Sequence, residues 1–214
     1  MGSMILVEGL DLAGKSTLVR ELGALLQEMG VPHRVGHNSL CPDNPVAQFA
    51  DWMRQDERRS SLEGSCLFVA SHLWDMRNFR APVQTVHLQD SCWLRSVAYD
   101  LESEARSSPR AGQLWESCPT VQFDRALFLT ASLPVRRLRL QKRKREGGAA
   151  DAQDHWVETN PERFSALESR LLQVVSSHAR TEILDSSELS PREVLRESLK
   201  KLDLGHLASV AWHL

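Results

Sequence analysis

Two hydrophobic patterns take turns along the chain. Short apolar runs such as "MILVEG" are bounded by glycine and read as strands buried on both faces. Between them, apolar residues recur at helical spacing. Leu18, Leu22, Leu25, Leu26 and Met29 share one face until Gly30 and Pro32 stop the helix. A second strand is expected around Val31 to Val35, a third in "QTVHLQD" ending at Asp90, a fourth in "RALFLTA" and a fifth in "TEILD". Helices are predicted over "PVAQFADWMRQDERR", "SLEGSCLFVASHLWDMRNF", Trp93 to Glu104 and Pro161 to His178. The last helix starts at Ser190-Pro191-Arg192-Glu193, a capping box with proline at the first helical position. The segment "SSPRAGQLWESCPT" reads as a Gly/Pro/Ser-rich connection.

Strands alternating with helices imply an α/β fold, a central parallel five-stranded sheet with helices on both faces. With 214 residues the chain reads as a single domain over 1–214. Seven basic residues fall between Arg136 and Arg145, followed by "EGGAADAQ". A run of this kind is ordinarily a solvated helix face.

Charge changes the picture little. Lys and Arg number 26 against 28 Asp and Glu, a net charge of -2, which makes no case for nucleic acid. No apolar run reaches membrane-spanning length and no signal segment opens the chain, so a cytoplasmic protein without a membrane partner is expected. Cys41, Cys66, Cys92 and Cys118 lie too far apart for paired zinc ligation and read as reduced core thiols.

One motif carries chemistry. Gly9-x-x-x-x-Gly14-Lys15-Ser16 lies between a predicted strand and a predicted helix, as a phosphate-binding loop must. Glycines let backbone N–H groups converge on phosphate oxygens, and the helix start adds its positive end. Gly9, Leu12, Ala13, Gly14, Lys15, Ser16 and Thr17 are therefore the expected triphosphate cradle of a three-layer P-loop NTPase fold. Lys15 would reach the terminal phosphates and Ser16 would ligate Mg²⁺. ATP and Mg²⁺ follow as the expected cofactors. No Asn/Thr-Lys-x-Asp guanine-reading motif follows, and "RALFLTA" does not end in the Asp-Glu of a motor. Asp11 inside the loop faces the acceptor side, to hold or deprotonate a hydroxyl, or else serves as a turn-former. Asp90, ending a central strand, would organise Mg²⁺ or its water, or cap the following helix.

The stretch "EGLDLAGKST" resembles the thymidylate kinase family, whose members carry EG-D-x-AGKST there. "LQDSCWLRSVAYD" is similar to the family's DR-x-x-x-S-x-x-AY segment, with Asp90, Ala98 and Tyr99 kept. "FDRALFLTA" resembles its fourth strand, and "ILDSSELSPREV" the loop that contacts adenine, which implies ATP contacts at Ser186 and Ser187. The basic helix and Gly-Gly region sit where the family keeps its mobile lid, so the resemblance implies a short basic lid over about 136–160, an ATP- and Mg²⁺-dependent kinase and a small-molecule acceptor. It also implies a possible homodimer through the apolar face of "LFVASHLWDM", which a buried core explains equally well.

The acceptor side departs from the family. The family's Asp-Arg is Asp90-Ser91 here, Val69 falls where a phenylalanine stacks on the base, and Leu73 replaces the base-reading arginine. The family's Arg-Glu-Pro segment has no counterpart in "VGHNSLCPDNP". Arg95, one turn beyond Ser91, is the candidate replacement, with Arg77 and Arg80 behind it. His72, Trp74 and Tyr99 would line the acceptor pocket, or simply pack in the core. Because Leu12 is not an arginine, the lid must supply the charge, from Arg143 and Arg145. The expected activity is γ-phosphoryl transfer to a nucleotide-like or other small acceptor. A genuine thymidylate kinase and an ATP-binding regulatory protein without acceptor remain the alternatives. The apolar tail "LASVAWHL" is expected to dock on the body or a neighbour.

Overall fold

The computed structural model describes residues 2–53, 61–104, 111–147 and 154–204. Five parallel strands, β1 (Ser3–Glu8), β2 (His33–His37), β3 (Val86–Asp90), β4 (Arg125–Thr130) and β5 (Thr181–Asp185), form one sheet. Their order is β2-β3-β1-β4-β5, with every pair parallel. The register sets Val7 beside Asp90 and Glu8 beside Phe128, so the ends of β1, β3 and β4 meet at one edge of the sheet. The chain adds β2 and β3 on one side of β1 and β4 and β5 on the other. In sheets of this kind the crevice beyond the strand ends, where that order reverses, takes the ligand.

Alternation along β1 explains its unbroken apolar run. Ile5 and Val7 pack with Leu18, Leu22, Leu25 and Leu26 of α1 (Lys15–Glu28) and with Val194 and Leu199 of α9 (Pro191–Lys201). Met4 and Leu6 belong to the opposite layer. There they meet Leu94 and Ala98 of α4 (Trp93–Glu104) and Leu167 and Leu171 of α8 (Pro161–His178). Both faces are covered, as a parallel sheet requires. Helices α2 (Pro45–Met53) and α3 (Ser61–Asn78) flank the ends of β2 and β3, while α6 (Leu133–Arg145) and the short α7 (Trp156–Thr159) follow β4.

Three expectations shift. The second strand starts at His33, because Val31 N still donates to the Leu26 carbonyl of α1 at 2.8 Å and Pro32 follows. The expected connection "SSPRAGQLWESCPT" contains a helix, α5 (Ala111–Glu116). Buried Trp115 anchors it to α4, donating its indole N–H to Asp100 at 2.7 Å; tertiary packing overrides weak local propensity. The expected lid boundary at 136 falls inside the body, since Arg136 and Leu140 of α6 are buried. Residues 54–60 of the second predicted helix, 148–153 of the lid and the tail "LASVAWHL" lie outside the described residues. Among the described residues, no helix is long and apolar enough to cross a membrane.

Candidate active site

The loop from Gly9 to Gly14 joins β1 to α1 over the crevice. Gly9, at φ 138°, has no alternative: a Cβ there would stand 2.0 Å from the Leu129 carbonyl. Leu12 (φ 66°) and Gly14 (φ 100°) bend the loop through left-handed backbone.

Three consecutive carbonyls of this loop are held from behind. Arg136 donates to Asp11 O at 2.5 Å, Arg139 to Leu12 O at 2.8 Å and the Ser186 hydroxyl to Ala13 O at 2.8 Å. In a planar trans peptide the N–H points opposite to the C=O. Binding the three carbonyls on one side therefore turns the N–H groups of Leu12, Ala13 and Gly14 the other way. That is how the fold aims amides at an anion. Arg136 is itself fixed, wholly buried, donating to Ala131 O at 2.7 Å and to Glu168, with its guanidinium 4.8 Å from the Phe164 ring centroid. Arg136 and Arg139 thus act beneath the cradle, a role the sequence reading did not assign them. Their spacing of three on one helix face is the signal that was there.

Beside the loop lies a cavity of about 380 Å³ lined by residues 11–18, Arg139, Lys142, Arg143, Ser186, Leu189, Pro191 and Val194. Of the expected triphosphate residues, Leu12, Ala13, Gly14, Lys15, Ser16, Thr17 and Ser186 line it. Ser187 does not. Its hydroxyl donates to Asp185 at 2.5 Å and accepts from Ser132 N at 2.8 Å, tying β5 to the start of α6. Of the two lid arginines, Arg143 borders the cavity and donates to Asp154 at 2.7 Å. Arg145 is exposed, away from it, its Nε donating to Gln141 O of its own helix at 3.4 Å.

Lys15 is buried, donating to Leu10 O at 3.1 Å and lying 3.5 Å from Asp11 Oδ1. Burial, with repulsion from Arg95, pulls its ammonium below the ordinary value against the opposing carboxylates. The Ser16 hydroxyl donates to Asp90 Oδ2 at 2.8 Å, and His37 Nδ1 lies 3.3 Å from the same oxygen. Burial pushes the Asp90 carboxyl up, but the bonds from His37 and Ser16 and the charge of Lys15 outweigh it, so the group sits below its usual value. A hydroxyl and an ionised carboxylate are hard oxygen donors. They suit a Mg²⁺ ion that also takes phosphate oxygens.

The acceptor side is organised by Arg95. Its Nη2 donates to Glu8 Oε1 at 2.8 Å, Gly9 O at 2.6 Å and Ser91 Oγ at 2.8 Å, and its Nη1 to Asp11 Oδ1 at 3.3 Å. Glu8 is wholly buried; it also accepts from Gly9 N at 3.0 Å and Cys92 N at 3.2 Å. Burial works against the Arg95 charge, yet Glu8 and Asp11 outweigh it and hold the guanidinium protonated. Burial likewise raises Asp11, but Arg95 and Lys15 prevail and hold it at about 2. An ionised carboxylate this low in basicity can accept a hydrogen bond from a hydroxyl. Glu8 was missed because "MILVEG" reads as one apolar run; a carboxylate ending a buried strand was the available sign.

Next to Arg95 is a second cavity, of about 60 Å³, lined by Phe68, Ser71, His72, Asp75, Trp93 and Ser96 among others. Asp75 holds its wall: it accepts from Ser39 Oγ, Leu40 N, Cys41 N and Asn44 Nδ2 at 2.8–3.2 Å. This network stands in the segment "SLCPDN", where sequence reading saw only a missing motif. His72 faces the cavity as expected, stacked on Trp93 with centroids 4.5 Å apart. The aromatic residue lining the cavity is Phe68, while Val69 packs against the core. Trp74 and Tyr99 also pack against the core, and Arg77 is exposed outside the cavity.

No family model and no curated protein sequence matches the chain. Solved structures do. The thymidylate kinase of Candida albicans superposes with TM-score 0.65 at 19% identity, covering 96% of this chain and 93% of that one. The thymidylate kinase of Ehrlichia chaffeensis gives 0.62 at 15% identity, covering 94% and 98%. This is the thymidylate kinase-like fold. It extends to the deoxyadenosine kinase of M. mycoides, a structure with dCMP and dCDP bound, at TM-score 0.63 and 14% identity over 95% and 100%. Within the thymidylate kinase-like frame the loop, Lys15, Ser16 and Asp90 stand together at the strand ends.

Proposed function

We propose that the chain is an ATP- and Mg²⁺-dependent kinase that transfers the γ-phosphoryl group to a nucleoside or nucleotide acceptor. The observation that carries this reading is the juxtaposition across one loop. Lys15 and the back-braced amides face a cavity of about 380 Å³, and Asp11 on its wall is paired with Arg95, which lines a second one. Kinases with this fold act on nucleosides or nucleotides, as the names of the neighbours state. Ser16 and Asp90 would hold Mg²⁺, which when bound neutralises phosphate charge. Lys15, Arg139 and Arg143 supply positive charge around the transferring group, and Asp11 orients the acceptor hydroxyl. Phosphoryl transfer has a loose transition state, so positioning and electrostatics carry most of the rate. The test is ATP turnover by the full chain with and without a panel of nucleosides and nucleotides. Stimulation by a panel member supports a kinase; ATP binding with no stimulated turnover supports the regulatory alternative.

A further inference from the structure

The pair of Glu8 and Arg95 decides what charge the acceptor cavity can take. Among the described residues lining that cavity, Arg95 is the one Lys or Arg side chain, and Asp51 and Asp75 are the carboxylates. Arg95 is only 19% exposed, and its two terminal nitrogens are already engaged by Glu8, Asp11, Ser91 and the Gly9 carbonyl. Its buried Nε–H is without a partner and Nη1 keeps one further N–H, but both forks of a guanidinium use Nη2, which already has three acceptors, so a phosphate dianion finds no free fork. To bind such a dianion, Arg95 would have to release Glu8, which is wholly buried and would keep only the Gly9 and Cys92 amides. An uncompensated buried carboxylate is strongly unfavourable.

The remaining walls suit a planar ring. Phe68, His72 and Trp93 line the cavity. His72 is 98% buried by its 2% exposure, and its Nε2 lies 2.7 Å from the Pro119 carbonyl, so that nitrogen carries the proton. Nδ1 is then an acceptor, and it has no partner. Burial lowers the imidazole's pKa, consistent with this neutral form. A ring N–H or amino group is the complement it lacks.

We infer that the acceptor is an uncharged hydroxyl compound, a nucleoside and not a nucleoside monophosphate. The inference rests on the kinase reading of the same site. In the step, the acceptor hydroxyl oxygen bonds to the γ-phosphorus and the bond from that phosphorus to the bridging oxygen breaks. The electron pair leaves on ADP, and the hydroxyl proton passes to the phosphorylated product or to water. A cavity of about 60 Å³ holds no more than a few waters, so entry of any nucleoside requires its walls to part.

The experiment compares kcat/KM of the full chain, with ATP and Mg²⁺, for each common ribo- and deoxynucleoside against its own 5′-monophosphate. At least one nucleoside is expected to exceed its monophosphate by about 100-fold. A monophosphate used as well or better overturns the inference and leaves the kinase reading standing. Turnover of neither overturns both. Ser96→Arg, which puts a second cation on a half-buried stretch of the cavity wall, is expected to move that ratio about tenfold toward the monophosphate. An unchanged ratio in a protein with unaltered melting would also overturn it.

Discussion

The two cavities are linked through the ion pair of Asp11 with Arg95 and are built on opposite plans. The larger is made of consecutive backbone, residues 11–18, with cations from α6 around it. Its geometry is set by the backbone, whose carbonyls Arg136 and Arg139 brace from behind. The smaller is assembled from side chains of α2, α3, α4 and the loop after β2. There Arg95 is answered by Glu8 and Asp11, and Asp75 by two backbone N–H groups, Ser39 and Asn44. One cavity is therefore walled by cations, while in the other Arg95, the one Lys or Arg of its described lining, is balanced by carboxylates.

Removing one charge from each side is the strongest way to break this comparison. Lys15→Ala should leave melting nearly intact and lower kcat by about 10³-fold, since the group acts on charge that develops in transfer. Steady-state ATP turnover with the best acceptor checks it. On the other side, Arg95→Ala should act first on stability. It strands Glu8, wholly buried, and a broken buried pair costs about 3–5 kcal/mol. Urea unfolding would show this, and adding Glu8→Gln should recover much of the loss. If Arg95→Ala proved as stable as the parent, the balanced-cavity description would fail.

The same contrast explains what could be read from sequence. A loop shaped by consecutive backbone leaves a contiguous trace, so the loop from Gly9 to Gly14 between β1 and α1 is legible in the sequence, and β1, β3, β4 and β5 follow from their apolar runs, whereas β2 is the polar HRVGH and its start shifted to His33. The acceptor side left no such trace. Glu8 and Arg95 are 87 positions apart and Ser39 and Asp75 are 36 apart, so only the fold shows that they touch. Arg95 was anticipated because helical spacing puts it one turn from Ser91, and its Nη2 does reach that hydroxyl at 2.8 Å. Arg136 falls in the expected lid because the resemblance places the lid over the basic helix, yet among the described residues it is the largest fully buried side chain and a brace for the loop. Charge alone does not say which way a helix faces. Of the two readings open for Trp74 and Tyr99, pocket wall or core packing, both pack against the core, and Arg77 is exposed outside the smaller cavity.

Asp90→Asn sharpens the comparison on the larger cavity's edge. The change keeps the shape and a hydrogen bond to the Ser16 hydroxyl but removes the charge that Ser16 and His37 now address. The Mg²⁺ concentration for half-maximal turnover should rise about 10–100-fold. Affinity for the acceptor should change far less, because Asp90 does not line the smaller cavity.

Asp11 belongs to both sides, and its effect is the mildest. Its folded pKa, about 2, lies below the ordinary 3.8 because Arg95 and Lys15 outweigh the cost of burial. A depressed carboxylate stabilises the fold at pH values above its unfolded pKa, and that contribution is lost as pH falls through the folded value. The window is therefore about pH 4 down to 2. With the side chain 26% exposed, solvent screening limits the contribution to about 1–2 kcal/mol. Asp11→Asn should flatten the acid limb of the stability curve by that amount, measured by urea midpoints at pH 6 and pH 3. It should also raise KM for the acceptor more than KM for ATP, because the carboxylate orients the hydroxyl while the amides of Leu12, Ala13 and Gly14 continue to hold the triphosphate. Equal changes in both KM values would mean that Asp11 only shapes the loop, and the division of labour between the two cavities would lose its hinge.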